Sequence, residues 1–190
     1  MGALLPIATA VSVFGVSFGV LARAEGLPAW QAALMSATVF AGSAQFAAVS
    51  VLADGGSALA AVVSGALLNS RYIATGVAVA GSLPGNRLRR VLLGQLVVDE
   101  SFALGAAAGE PGRPHAPTLL RAGAVLWVAW VGGTVLGTAL GDVVGDPARL
   151  GLDAAFPALF LALLWPMVRD DRRHVRPALL GALVGLVLSR

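Results

Sequence analysis

The sequence predicts an all-α integral membrane protein, a bundle of about six transmembrane segments with broken helices. Three observations predict it. Hydrophobic residues make up 57% of the 190-residue chain, charged residues only 12%, and mean hydropathy is +0.83; a soluble domain carries about 25% charged residues. Apolar runs recur between short charged stretches, and a helix needs about 20 such residues to cross the hydrocarbon. Arg71 is the only charge between Gly55 and Asn86, and an arginine at that depth costs roughly 3 kcal/mol on insertion scales.

Composition also excludes functions. The chain has no cysteine, so disulfides, thiolate metal sites and cysteine nucleophiles are absent. The 13 basic residues are all arginines, the net charge is +3, and they fall between apolar runs, where membrane topology places them. A nucleic-acid partner is not expected, and neither a metal nor a cofactor: no H-E-x-x-H, P-loop or CxxC motif occurs. The first apolar run has no basic n-region and is long enough to span, so it reads as a span and not as a cleavable signal.

The elements follow in order within a single transmembrane domain, 1–190. Residues 3–22 form the first span, bounded by Arg23 and Glu25. Gly26–Ala53 is free of charge for 28 residues, about 42 Å of helix. A second span over 27–53 must therefore tilt, protrude or break, and Ala41-Gly42-Ser43-Ala44-Gln45 is the expected break. Residues 58–80 form the third span. Residues 82–117 carry seven charges, and Pro111, Pro114 and Pro117 close the stretch, which predicts an interfacial or re-entrant helical segment followed by a loop. Spans four to six are expected over 122–141, 152–168 and 177–189.

Weak likenesses suggest a 3+3 inverted repeat, a plan common in secondary transporters. Gly15-x-x-x-Gly19 parallels Gly133-x-x-x-Gly137, and Gly26-Leu27 parallels Gly151-Leu152. With six segments, Arg23, Arg87, Arg89, Arg90, Arg113, Arg121, Arg169, Arg172, Arg173 and Arg176 would share one side, leaving Arg149 and Arg190 opposite. The basic side should be cytoplasmic, which places the N-terminus outside.

Several residues stand out as candidate chemistry. Thr38, Gly42 and Gln45 fall on one helical face, and Ser36, Ser43 and Ser50 on another; hydroxyl and small residues often only pack helices. Gln45 differs, since a buried amide needs partners for two donors and an acceptor. Arg71 is either an ion-pair clamp or an anion contact. Asn69, two residues away, can share its site only if the helix opens between them. Asp99-Glu100 interrupts an apolar stretch; such carboxylates load and release protons in a low dielectric, or cap a helix. Gly15-Val16-Ser17-Phe18-Gly19 matches the G-x-S-x-G elbow of serine hydrolases. That elbow needs a strand-to-helix turn, a His and an acid, whereas this pattern lies inside an apolar helix.

Pro6, Phe14-Gly15, Phe18-Gly19, Met35-Ser36, Phe40-Ala41-Gly42-Ser43-Ala44-Gln45-Phe46, Asn69-Ser70-Arg71-Tyr72 and Asp99-Glu100-Ser101-Phe102, in that order, resemble the AzlC family of bacterial membrane permeases, the YgaZ-type large subunits of branched-chain amino acid exporters. The likeness runs from the start of the chain to about Phe102. It implies an inner-membrane, multi-pass secondary transporter that exports branched-chain amino acids, is driven by the proton motive force and works with a small AzlD-type membrane subunit. On that reading Gly42, Ser43 and Gln45 form a broken-helix substrate site. Asn69, Arg71 and Tyr72 complete its polar end, Phe40 and Phe46 hold the branched side chain, and Asp99 or Glu100 couples protons. The alternatives are a non-transporting assembly subunit and a channel-like pore; an enzyme is not expected.

Overall fold

The computed structural model describes residues 4–144 and, beyond them, Arg169, Val175, Leu179 and Leu180. The chain divides into two units, Met1–Leu150 and Gly151–Arg190. The four described residues of the second unit are helical; the expected span at 152–168, and that at 177–189 apart from Leu179 and Leu180, lie outside the described residues.

Eight helices are described in the first unit: α1 (Leu4–Ala24), α2 (Ala29–Val39), α3 (Gly42–Ala53), α4 (Ala58–Asn69), α5 (Arg71–Ala80), α6 (Arg87–Gly94), α7 (Asp99–Ala107) and α8 (Ala116–Val144). Among the described residues, only α1 and α8 are individually long and apolar enough to cross a membrane. The pair α4 and α5 qualifies as one span bent by 45°.

Glycines set the central packing. The two G-x-x-x-G pairs are not equivalent positions in two repeats; they are the two faces of one interface. A Cβ on Gly15 would sit 2.6 Å from the Trp130 carbonyl oxygen, one on Gly19 would overlap the Thr134 carbonyl, and those on Gly133 and Gly137 would overlap the carbonyls of Ser12 and Val16. Backbones approach this closely only where side chains are missing. Residue numbers rise together along both helices, through to Gly141 against Arg23, so α1 and α8 run parallel. Inverted halves would run their equivalent helices antiparallel. Two parallel spans also need an odd number of crossings between them, and α4–α5 supplies one.

The remaining helices are too short to cross, and they double back. α2 leaves the end of α1, descends along α8, and presents the Ala37 carbonyl to Trp127. α3 then climbs: its start lies beside the end of α4, with Gly65 against Ala44, and the two join at a turn over 54–57. The expected second span at 27–53 is thus a re-entrant hairpin whose tip is Phe40–Ala41, at the upstream edge of the expected break. Hence Thr38, on one arm, does not share a face with Gly42 and Gln45 on the other. α5 descends until Val79 and Leu83 pack on Leu119. α6 runs back beside α5, and α7 reverses again, bringing Gly105 against Leu119. This second hairpin lies within 82–117, where an interfacial or re-entrant segment is expected. Its tip at 95–98 is held by Ser101, which accepts from the Val98 N–H at 2.9 Å and donates to the Leu96 carbonyl at 2.8 Å.

Residues 4–53 and 58–107 therefore share one plan, a span followed by a hairpin entering from the side where that span ends, in opposite directions. The first tip packs on α8 at Trp127 and Trp130, and the second at Gly123.

This course changes the sidedness of the arginines. Arg90 lies beside Ala80 and Leu83, and Arg113 beside Ser82 and Ala116, all at the end where α8 begins. Arg23 lies at the opposite end, against Gly141. The expectation that Arg23 shares a side with Arg87, Arg89, Arg90 and Arg113 fails because 27–53 turns back instead of crossing. The fourth span is also longer than expected, beginning at Ala116: Pro117 fits the first turn, where its missing N–H goes unused, and Arg121 points outward, exposed.

Candidate functional site

Three interruptions of helix converge at mid-span: Phe40–Ala41 between α2 and α3, Ser70 between α4 and α5, and 95–98 between α6 and α7. Helix ends leave backbone groups without intrahelical partners, and at membrane depth those groups are tolerated only inside protein or beside water. Here side chains satisfy some of them. Gln95 Nε2 donates to the Thr38 carbonyl at 2.7 Å, joining the two hairpin tips, and Trp127 Nε1 donates to the Ala37 carbonyl at 3.0 Å. Phe40 holds φ 43 and ψ 48, a left-handed conformation that is an outlier for a bulky side chain. Such strain persists only where surroundings enforce it.

One enforcing element is a closed polar ring around Gln45. Its Oε1 accepts from Trp130 Nε1 at 3.0 Å and from the Ala41 N–H at 3.4 Å. Its Nε2 donates to Ser36 Oγ at 2.9 Å. Thr134 Oγ1 donates to the Trp130 carbonyl at 2.9 Å, so across the 2.8 Å Ser36–Thr134 contact Ser36 must donate. The chain of donors begins and ends on Trp130. Gln45, Ser36 and Thr134 are each 0% exposed. Phe46 and Phe18 close the apolar side, at ring-centroid distances of 6.4 and 6.0 Å from Trp130, and Gly42 leaves room for the indole edge.

The second polar group is open. Arg71, at the start of α5, places Nη2 3.0 Å from Asp99 Oδ2, 3.0 Å from Ser43 Oγ and 3.3 Å from Tyr72 Oη. Its guanidinium carbon lies 5.0 Å from the centroid of the Tyr72 ring, within cation–π range. The Arg71 and Asp99 side chains are 41% and 52% exposed. Glu100 follows Asp99 in the first turn of α7, where the helix dipole favours carboxylates. The pair joins the crossing helix to the second hairpin, and Ser43 ties both to the first.

The expected site residues thus divide. Ser43, Arg71, Tyr72 and Asp99 come together. Gln45, Gly42, Phe40 and Phe46 form the packed interior, with both phenylalanines at most 5% exposed. Asn69 does not reach the cluster: its Oδ1 is buried without a hydrogen-bond partner, although the helix does bend at Ser70. Sequence reasoning missed Gln95, Trp127, Trp130 and Thr134. Gln95 carried a signal, an amide in the apolar run ahead of Asp99-Glu100; the tryptophans carried none. Ser17 donates to the Val13 carbonyl inside the unbroken α1, so no nucleophile elbow forms. Among the described residues no group of His, Asp and Glu could hold a metal.

The AzlC protein family model matches residues 6–144. The chain belongs to the AzlC family. AzlC relatives include an uncharacterized membrane protein of Archaeoglobus fulgidus, 34% identical over 95% of this chain and 79% of its own length. The branched-chain amino acid transport protein AzlC of Bacillus subtilis is 25% identical over 97% and 71%. Inner membrane protein YgaZ of Escherichia coli is 28% identical over 97% and 78%. No solved structure matches. The AzlC match covers α1 from Pro6 onward and all of α2 to α8, so both hairpins and the Arg71 cluster lie within the family's domain.

Proposed function

We propose that this protein is an inner-membrane secondary transporter that exports branched-chain amino acids in exchange for protons. The observation that carries the reading is the half-exposed Arg71–Asp99 pair at the meeting point of three helix breaks, in a family that includes a branched-chain amino acid transport protein. An amino acid is a zwitterion, and the pair is its complement. The substrate carboxylate binds Arg71 and Ser43, helped by free amides at the start of α3. The substrate ammonium binds Asp99. A proton on Asp99 removes that ammonium's partner, so substrate and proton compete for one carboxylate, and such competition makes an antiporter. Glu100, the neighbouring carboxylate, relays the proton. Gln45, Gly42, Phe40 and Phe46 shape the break without touching substrate.

The positive-inside rule supports an orientation with the N-terminus of α1 in the cytoplasm, since Arg87, Arg89, Arg90 and Arg113 gather at that end. A small AzlD-type subunit completes the permease. The assay is leucine flux in proteoliposomes bearing this chain alone and with that subunit, with and without a pH gradient. Saturable, gradient-driven flux is expected. Flux that never saturates would indicate a pore, and none with either preparation would indicate an assembly subunit.

A further inference from the structure

Phe40 and Phe46 cannot hold the substrate's side chain, because both are packed in the core. An apolar space does lie beside Arg71. A cleft of about 240 Å³ runs between α5 and α6, lined by Tyr72, Gly76, Val79, Leu83, Gly94 and Val97 among others. Drug-sized ligands need roughly 300 Å³ or more, so this cleft suits something of amino-acid size. Tyr72 links it to the charges, since Tyr72 lines it and receives a hydrogen bond from Arg71; Arg90 is the one charged residue in its lining. Two glycines make the space, one on each wall. A Cβ on Gly76 or on Gly94 would meet no atom within 4 Å. Neither glycine has a positive φ, so neither is needed for a turn. Gly76 lies inside α5, where glycine costs about 1 kcal/mol relative to alanine, and no close backbone contact accounts for it; Gly94 is the last residue of α6.

We propose that Gly76 and Gly94 set the side-chain size this transporter accepts, by holding open a subsite for a branched aliphatic group whose carboxylate lies on Arg71. This rests on the transport reading above. A Cβ at either position enters open space, so alanine narrows the cleft without a clash and leucine narrows it further.

The experiment measures export of leucine, valine and alanine by the full chain with its small subunit, in proteoliposomes, for wild type, Gly76→Leu, Gly94→Leu and the milder Gly76→Ala. Val77→Leu, on α5 but outside the cleft, is the control. One methylene in an apolar pocket changes discrimination by about 10–200-fold. The expected result is a leucine-to-alanine ratio at least about tenfold lower in both leucine variants, a smaller drop in Gly76→Ala, and no change in Val77→Leu. An unchanged ratio in all variants, with wild type active, overturns the proposal and assigns the cleft to a lipid chain or a protein neighbour. Wild type that moves none of the three overturns the transport reading instead, and this one with it. If a leucine variant fails to accumulate in the membrane, the Gly76→Ala ratio decides.

Discussion

Gln45 and Arg71 are both polar residues buried in sequence among apolar ones, yet the structure treats them in opposite ways. Gln45 is sealed, with its oxygen and nitrogen committed to fixed partners on α2, α8 and its own hairpin. Arg71 is half exposed and held by groups on three separate elements. A closed ring resists rearrangement, because moving any member orphans the others at a cost of about 1–3 kcal/mol per buried group. An open ion pair can give up one partner and take another, because both of its groups remain reachable. The first kind of site fixes a shape; the second binds and releases.

The contrast can be broken from either side. The largest effect is expected from Gly19→Leu, which drives a side chain into the Thr134 carbonyl and separates α1 from α8, the frame on which both sites are built. Folded protein should be lost, as read by size-exclusion chromatography in detergent. Gln45→Ala comes next. It leaves Trp130 Nε1 and Ser36 Oγ without their amide partner, and should lower the unfolding temperature clearly; a Gln45→Ala protein as stable as wild type but unable to transport would make Gln45 a substrate ligand after all. Arg71→Ala reverses the pattern, with leucine flux at least about tenfold lower, the loss typical of a charge-assisted contact, and the unfolding temperature almost unchanged. Asp99→Asn is the subtlest. Substrate binding weakens, and the residual flux no longer responds to a pH gradient, because the group that exchanges ammonium for proton has gone. Undiminished gradient dependence in Asp99→Asn moves proton coupling to Glu100 or elsewhere.

Much of the fold was legible in the residues. The helical class and the first long apolar helix follow from apolar run lengths and from where charges interrupt them. The break after α2 was visible as a run too long for one crossing. Its consequence was not. A 28-residue apolar stretch reads the same whether it crosses or doubles back, since both courses bury the same residues in the same solvent. That ambiguity alone reversed the sidedness of Arg23 relative to Arg87 and turned an apparent repeat of glycine motifs into one interface.

By itself, the sequence determined that this is a helical membrane protein with one costly charge at mid-span, and motifs alone placed it near the AzlC family. Those conclusions depend on composition and local order. Only the tertiary structure decided which polar residues are locked and which are open, that Asp99 and not Asn69 answers Arg71, and that glycines on α5 and α6 leave a cleft beside it. The physical reason is that hydrogen-bond partners and empty space are relations between distant segments. Gln45 meets Trp130 across 85 positions and Arg71 meets Ser43 across 28, distances over which neither periodicity nor propensity carries information.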